Sequence, residues 1–289
     1  MNEPLLAWGL ACIALLVFAG LRSLPATARV LAPVLAATLL VVATLLTYAN
    51  SLSGPFVFDD SATVLTNGSI ETLSPTTVLA PPHETPVAGR PLVNLSFAIN
   101  YALGGREVFG YHVANIAVHM LCGLLVFGVV RRTLELRARL RPVAGAALSH
   151  GTAANLALAI ALIWLVHPLN SEVVNYITQR TESLMALAYL ATVYASVRAL
   201  SDTSRGRWEG AAVLSCAAGM ACKESMVTAP VVVLLYDRVF AFGSFGEALA
   251  DRRRLYAGLA AGWVILGALV ATSPRGYSAG FGAHDADPF

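Results

Sequence analysis

Residues 113–130 read VANIAVHMLCGLLVFGVV, and Arg131 and Arg132 follow at once. As an α-helix rising about 1.5 Å per residue, this stretch is about 27 Å long, close to the roughly 30 Å hydrocarbon core of a bilayer. Positive charge directly after an apolar run marks the end of a helix at a membrane surface. The stretch therefore predicts a membrane-spanning helix.

The same pattern recurs along the chain, which is 57% hydrophobic and 12% charged, with a mean hydropathy of +0.68. Six further apolar stretches approach or reach spanning length: 4–21, 31–49, 151–169, 183–200, 226–242 and 255–272. A shorter stretch, 209–222, predicts either a thin spanning helix or a re-entrant one. The sequence therefore predicts an all-α polytopic membrane protein, a bundle of seven or eight spanning helices.

The basic residues predict the orientation of the bundle. If the N-terminus starts outside, fourteen of the nineteen basic residues lie on the cytoplasmic side, where positive charge is retained during insertion. The topology rule does not explain the other five, which are functional candidates: Arg90, Arg106, Arg180, Lys223 and Arg275. One helix over 209–242 would bury Lys223 and Glu224 in lipid, so a break is predicted there. Because topology accounts for the arginines, we expect no nucleic-acid partner.

This orientation divides the chain into three parts. Residues 31–272 form the predicted membrane domain, with a large extracytoplasmic loop at about 50–110. Residues 1–30 add an N-terminal membrane helix and a short cytoplasmic loop. Residues 273–289 form a C-terminal tail, which we expect to be truncated.

The large loop contains two adjacent carboxylates, Asp59 and Asp60, after the apolar run 56–58. Adjacent carboxylates repel each other, which raises one pKa and suits that group to act as a general base. Taken alone, the pair is more typical of a solvated loop with an Asx turn. A divalent cation would suit these oxygens, but two carboxylates are too few to predict a metal site.

Polar side chains also mark the predicted outer ends of several helices. His112, Asn115 and His119 lie at i, i+3 and i+7, on one helical face that points into the bundle. They indicate either a site or hydrogen bonds between helices, since polar residues in a spanning helix are costly otherwise. A metal site is disfavoured, because the two histidines are about 10 Å apart along the axis.

A third group follows residues 151–169. It contains His167, Glu172, Tyr176 and Arg180, of which the last three are spaced to share one face of a short interfacial helix. An arginine at this level can bind a phosphate with two hydrogen bonds, or it can reach lipid headgroups or pair with Glu172. The only lysine, Lys223, precedes Glu224. It either pairs with Glu224 or meets an anionic headgroup. All these groups are predicted at one membrane level.

Together these residues resemble a known family. They run in the family's order over about residues 48–235: Asn50-Ser51-Leu52, Phe56-Val57-Phe58-Asp59-Asp60, Arg90-Pro91-Leu92, Gly110-Tyr111-His112, His167-Pro168, Glu172, Arg180, Glu182 and Lys223-Glu224. This order is similar to the membrane region of transmembrane and tetratricopeptide repeat-containing O-mannosyltransferases, which are GT-C glycosyltransferases. The sequence shows no 34-residue repeat, so the tetratricopeptide part of the family is missing.

The resemblance implies an enzyme that transfers a sugar, with mannose expected, from a polyprenyl-phosphate donor to a Ser or Thr hydroxyl of an exported protein. It implies a carboxylate base in the large loop, which we assign to Asp59 or Asp60. Arg90, Arg180 and Lys223 are the candidates for binding the donor phosphate. The candidates for orienting substrates are His83, His112, Asn115, His119, His167, Glu172 and Glu224.

Two other functions fit the same composition. A lipid or solute transporter would place its charges near the midplane and show internal symmetry, and neither is evident in the sequence. A non-catalytic, truncated scaffold of the same family would keep the motif residues. The expected location is the plasma membrane of a bacterium, suggested by eighteen arginines against one lysine, or the endoplasmic reticulum of a eukaryote, with the site extracytoplasmic in both.

Overall fold

The structure, a computed structural model, describes residues 32–83, 85–140 and 150–273. Within these ranges the chain forms helices and turns without a β-strand. The α-helices in chain order are α1 (Ala32–Tyr48), α2 (Pro75–Val78), α3 (Pro91–Gly104), α4 (Val108–Leu140), α5 (His150–Leu165), α6 (Ser171–Asn175), α7 (Arg180–Ala199), α8 (Arg205–Met220), α9 (Ala229–Phe240), α10 (Phe245–Asp251) and α11 (Arg253–Thr272). The predicted all-α class is confirmed.

Three of the described helices are long and apolar enough to cross a membrane: Val34–Ser53, Val108–Leu140 and Arg253–Thr272. Two bent pairs bring the number to five if each pair is one span: Gly151–Leu165 with Pro168–Asn175, and Glu224–Phe240 with Phe245–Asp251. The seven or eight expected spans included 4–21, which lies outside the described residues. They also included 183–200 and 209–222, which form the less apolar α7 and the shorter α8.

Two apolar cores hold the long helices together. Helices α1, α4 and α5 pack around Leu40, Phe127 and Leu165. A β-carbon on Gly123 would lie only 2.0 Å from Leu165 Cδ1, so this glycine allows α4 and α5 to approach closely. The second core joins α7, α8, α9 and α11 around residues such as Cys216 and Met226. Because α4 also packs on α7, the two halves form one bundle.

The segment between α1 and α4 has a hydrophobic core of its own, which we call the loop core. Its buried members include Val64, Phe97 and Tyr111, together with Ile177 and Cys222 from later connections. A second set of contacts is polar: the buried Asn94 amide donates to the Val78 carbonyl at 2.8 Å and accepts from Asn67 at 3.0 Å. The large loop is therefore a packed unit that joins three chain segments.

The predicted break near Lys223 is present. Helix α8 ends at Met220, a 3-10 turn covers Glu224–Thr228, and α9 starts at Ala229 with a proline in its first turn. Proline suits the first turn because its missing N–H has no helical partner there. The Ala221 carbonyl, left free at the end of α8, accepts from the Leu92 N–H at 3.4 Å. The break thus connects the bundle to the loop core.

One expectation about local structure is wrong. Glu172, Tyr176 and Arg180 do not share a helical face, because α6 ends at Asn175 and Tyr176 is extended (φ −84°, ψ 111°). Glu172 is exposed, whereas Arg180 is 1% exposed at the start of α7. The extended residue redirects the chain so that the Thr178 N–H meets Asp60, a long-range contact that sequence spacing does not contain.

Candidate functional site

The two adjacent aspartates lie on a tight turn over residues 57–60. The Asp60 N–H donates to the Val57 carbonyl at 2.9 Å, and the Asp60 carboxylate accepts from the Val57 N–H at 3.0 Å. Phe58 occupies the second position of this turn with φ +46°, a region that L-residues with bulky side chains rarely adopt. Both the backbone and the side chain of Asp60 therefore bond to Val57, and these two hydrogen bonds close the turn.

Asp60 is fully buried, and its carboxylate is occupied by donors from two segments. One oxygen accepts from the Val57 N–H, and the other accepts from the Thr178 N–H at 2.8 Å and the Thr178 hydroxyl at 2.7 Å. We call Val57, Asp60 and Thr178 the carboxylate anchor. Three donors satisfy this buried carboxylate, which thereby holds its turn in place. A solvated Asx turn does not describe Asp60.

Asp59 has the opposite environment. Its side chain is exposed, while its backbone N–H donates to the Tyr176 hydroxyl at 3.0 Å. Burial raises the pKa of Tyr176 to about 12, so this phenol stays protonated at neutral pH. Asp59 is therefore held by its backbone, and its exposed carboxylate lies beside the Tyr176 hydroxyl. An exposed carboxylate on a fixed backbone is suited to accept a proton from a second molecule.

Arg180, expected to bind a donor phosphate, is instead bound by the protein. Its guanidinium is fully buried and lies over the Phe97 ring at 4.4 Å. Its N–H groups donate to Asn115 Oδ1 at 2.7 Å, Asn100 Oδ1 at 2.5 Å, Ser96 O at 3.3 Å and Tyr111 O at 2.9 Å. This set, the arginine junction, joins α3, α4 and α7. The geometry gives Arg180 a structural position, and a role in binding the donor phosphate stays a prediction.

The other two cations expected to bind phosphate lie in one group, the charge cluster of Arg90, Glu182, Lys223 and Glu224. Arg90 Nη2 lies 3.3 Å from Glu224 Oε2, and Lys223 pairs with Glu182. Burial lowers the pKa of Arg90, and the nearby Glu182 raises it. The side chains of Arg90, Lys223, Glu182 and Glu224 are 13%, 25%, 35% and 36% exposed. The cluster is therefore paired within itself and open to water.

The charge cluster and the carboxylate anchor rest on the same loop core. Ile177 precedes Thr178 of the anchor, and Cys222 precedes Lys223 of the cluster; both residues are buried in that core. Arg90 directly precedes α3, whose Val93 and Phe97 pack there as well. Three distant segments thus bring the proposed base and two cations to one packed unit.

His112, Asn115 and His119 are all buried on α4, as their spacing predicted. His112 Nε2 lies 3.1 Å from the Gly54 carbonyl, and His119 Nε2 lies 2.8 Å from the Leu165 carbonyl. The Asn115 amide nitrogen lies 3.3 Å from the Val174 carbonyl. These contacts are hydrogen bonds between chain segments, the structural one of the two alternatives. A substrate-orienting role for these three residues stays a prediction.

The other candidates for orienting substrates are more exposed. His83 is exposed, and His167 Nδ1 accepts from the Leu169 N–H at 3.2 Å as a helix cap. Glu172 accepts from Gln179 at 3.4 Å, and Glu224 belongs to the charge cluster. Among the described residues no three His, Cys, Asp or Glu side chains converge as a metal site. The site consists mainly of hydrogen-bonded and paired charges.

Two structurally important groups are missing from the predicted site. Thr178 completes the carboxylate anchor, and Asn100 accepts from Arg180. Neither contact has a sequence signal, because the partners are 118 and 80 residues apart. Glu182 had a sequence signal, since it belongs to the ordered residues that resemble the family, but no role was assigned to it; it lies in the first turn of α7.

The chain is similar to several protein O-mannosyl-transferases. Protein O-mannosyl-transferase Tmtc1 of Drosophila melanogaster is 31% identical over 199 residues, which cover 66% of this chain and 21% of the relative. Protein O-mannosyl-transferase TMTC4 of Mus musculus is 28% identical over 232 residues, or 73% of this chain and 30% of the relative. These matches support the TMTC family.

The TMTC relationship covers only part of each relative. Tmtc3 of Drosophila melanogaster, for example, is 29% identical over 68% of this chain but only 23% of its own length. No protein family model and no solved structure shows a significant match. The chain thus spans between about a fifth and a third of the length of the curated TMTC relatives it matches. These matches support the family expected from the order of the motifs.

Proposed function

We propose that this chain is the membrane domain of a GT-C glycosyltransferase that moves a sugar, with mannose expected, from a polyprenyl-phosphate donor to a Ser or Thr hydroxyl of an exported protein. The observation that carries the proposal is the contrast between the two aspartates. Asp60 is buried and occupied by three donors, and this fixes the turn that presents Asp59 to solvent. The names of the TMTC relatives support the same class of reaction.

In the proposed reaction Asp59 is the base. Its carboxylate takes the proton of the acceptor hydroxyl while the hydroxyl oxygen bonds to the anomeric carbon of the sugar. The bond from that carbon to the donor phosphate oxygen breaks, and its electron pair stays on the lipid phosphate. Cations positioned at the leaving phosphate stabilise this developing charge.

Arg90 and Lys223 are the proposed cations. Each is paired with a glutamate in the charge cluster, and each is partly open to water. A phosphate carries the same sign as the carboxylate it would replace, so binding exchanges one anion for another around Arg90 without leaving a buried charge unpaired. Arg180 supports this site from the arginine junction by holding α3, which Arg90 precedes.

We propose the extracytoplasmic side for this site because most basic residues lie at the opposite ends of the helices. Cysteine labelling in intact cells tests the side. A cysteine at Ser61, an exposed position beside the aspartates, should react with an impermeant maleimide, whereas one at Asp202 should react only after the membrane is opened. The reverse pattern would place the site in the cytoplasm.

The reaction itself is tested with purified protein in nanodiscs, labelled polyprenyl-phosphate sugars and Ser- or Thr-containing acceptor peptides. We expect Asp59→Asn to lower transfer by about 10² to 10⁴-fold, the usual size of a general-base contribution, with unchanged thermal stability. The matched variant Asp60→Asn should lower stability as well as transfer. Folded wild-type protein that transfers no sugar from any donor would instead support the non-catalytic scaffold.

A further inference from the structure

Phe58, the residue before the proposed base Asp59, has an unusual exposure and an unusual backbone conformation. Phe58 is 87% exposed, the highest value for a large hydrophobic side chain in the part of the chain that the structure describes. It is also the only non-glycine residue with positive φ among those residues. A turn whose second residue has positive φ normally has glycine there. Phenylalanine is therefore unfavourable at this position on two counts: its ring is exposed to water, and its backbone has a positive φ.

The surroundings of Phe58 keep its ring in place. The turn is closed by the Asp60 carboxylate, and the Ser61 N–H donates to the Phe58 carbonyl at 3.3 Å. The ring meets the Tyr176 ring edge to face, with centroids 6.0 Å apart and planes at 74°. The same Tyr176 hydroxyl accepts from the Asp59 N–H. One tyrosine thus supports both the exposed ring and the backbone of the exposed carboxylate.

We infer that Phe58, supported by Tyr176, is a specificity-determining residue that contacts the acceptor polypeptide at an apolar residue next to the modified Ser or Thr. The inference rests on the proposed function of Asp59. A hydroxyl that gives its proton to Asp59 must lie within hydrogen-bond reach of that carboxylate, so the acceptor residues around it pass over Phe58. Val57, the residue before Phe58, is also exposed, so the apolar surface continues on the side of Phe58 away from Asp59 in the chain.

The exposure of the ring decides between possible ligands. A projecting side chain is covered by a polymer that lies across it, whereas a single sugar ring is bound in a concave site. Insertion into lipid is disfavoured because the exposed Asp59 carboxylate is the next residue, and a carboxylate in hydrocarbon is costly. The same carboxylate should repel acceptors with an acidic residue beside the hydroxyl.

The test measures binding of labelled acceptor peptides to the full chain in nanodiscs by fluorescence anisotropy. The peptides differ only in the residue next to the Ser or Thr, which is Val, Ala or Asp. We expect wild-type protein to bind the Val peptide about tenfold more tightly than the Ala peptide, the size of partly burying one apolar side chain. Phe58→Ala should abolish this preference and Phe58→Trp should keep it.

Phe58→Gly separates the ring from the backbone, because glycine adopts positive φ without strain. If the ring contacts the acceptor, Phe58→Gly loses the Val preference although its melting temperature is unchanged or higher. Leu103→Ala, which removes an equally exposed side chain (82%) from α3, is the matched control and should bind all peptides as wild type does.

An undiminished Val preference in Phe58→Ala, or equal binding of the Val and Ala peptides by the wild type, would overturn the inference. Quenching of Phe58→Trp fluorescence by brominated lipids would also overturn it, by assigning the ring to the membrane. Failure of the proposed function looks different: peptides are still selected through Phe58, but no sugar is transferred. Transfer without selection would remove only the role of Phe58.

Discussion

The carboxylate anchor and the charge cluster both lie on the loop core, but their charged groups have different partners: neutral donors in the anchor and opposite charges in the cluster. Asp60 is 0% exposed and is bound by neutral donors of the backbone and of Thr178. In the charge cluster each charge faces an opposite charge, and the side chains of Glu182 and Glu224 are about one third exposed. A charge satisfied by fixed neutral donors cannot be released without breaking the fold, whereas a carboxylate paired at a wet surface can be exchanged for another anion.

This difference separates the charged residues that stabilise the fold from those that are available to bind a ligand. The arginine junction belongs with the anchor, since Arg180 of α7 donates to side-chain amides and a backbone carbonyl of α3 and α4. Arg90 donates from Nη1 to the Pro86 carbonyl at 2.7 Å, whereas its Nη2 pairs with the Glu224 carboxylate at 3.3 Å. Substitutions in the first group should therefore change stability, and those in the second should change affinity for the donor.

The largest effect on stability is expected at the arginine junction. Arg180→Met keeps most of the side-chain volume but removes the guanidinium that donates to four acceptors, of which Asn115 Oδ1 and the Tyr111 carbonyl are buried. We expect this to lower the free energy of unfolding by about 3 kcal/mol or more. Arg180→Lys should be intermediate, because a single ammonium cannot reach all four acceptors. Unfolding in detergent measures both. Wild-type stability in Arg180→Met would show that the junction is not structural.

The next largest effect is expected at the carboxylate anchor. Asp60→Asn turns an amide toward the N–H of Val57 or Thr178, so one donor loses its acceptor, and we expect a loss of about 2 to 3 kcal/mol. Thr178→Val removes only the hydroxyl and should cost about 1 kcal/mol, because the backbone donor remains. If thermal melting gave equal values for the two variants, the carboxylate would not be the centre of the anchor.

At the charge cluster we expect little change in stability and a large change in donor affinity. Arg90→Gln should alter the free energy of unfolding by no more than about 1 kcal/mol, since a partly exposed ion pair contributes little. It should raise the KM for the polyprenyl-phosphate donor about tenfold or more, the size of one charge-assisted hydrogen bond. The KM for the acceptor peptide is the internal control. An increase in that value alone would reassign Arg90 to the acceptor.

The smallest effect should have the opposite sign. Glu224→Gln removes the carboxylate that competes with a phosphate for Arg90, so the donor KM should fall a few-fold, about 1 kcal/mol or less in free energy. The change should shrink at high salt, which screens the exposed pair. A rise in donor KM would mean that Glu224 orients the donor instead of competing with it.

The sequence by itself determined the class of the fold and the family. Long apolar runs need only local hydrogen bonds to become helices in lipid, so length and hydropathy predict them directly. The same local logic located the break at Lys223, where one helix would have buried Lys223 and Glu224, and the inward face of His112, Asn115 and His119. The order of the motifs indicated the TMTC family, which the comparisons support.

Only the tertiary structure decided which charged residues are bound by other groups of the protein and which remain available to a ligand. Asp59 and Asp60 are chemically identical neighbours, and a donor 118 residues away, Thr178, buries one and leaves the other exposed. Arg180 and Arg90 looked equivalent in the sequence until the partners of each were known, with Asn115 and Asn100 around one and Glu224 beside the other. The reason is physical: the protonation and availability of a charge depend on the groups that surround it, and here those groups come from distant segments.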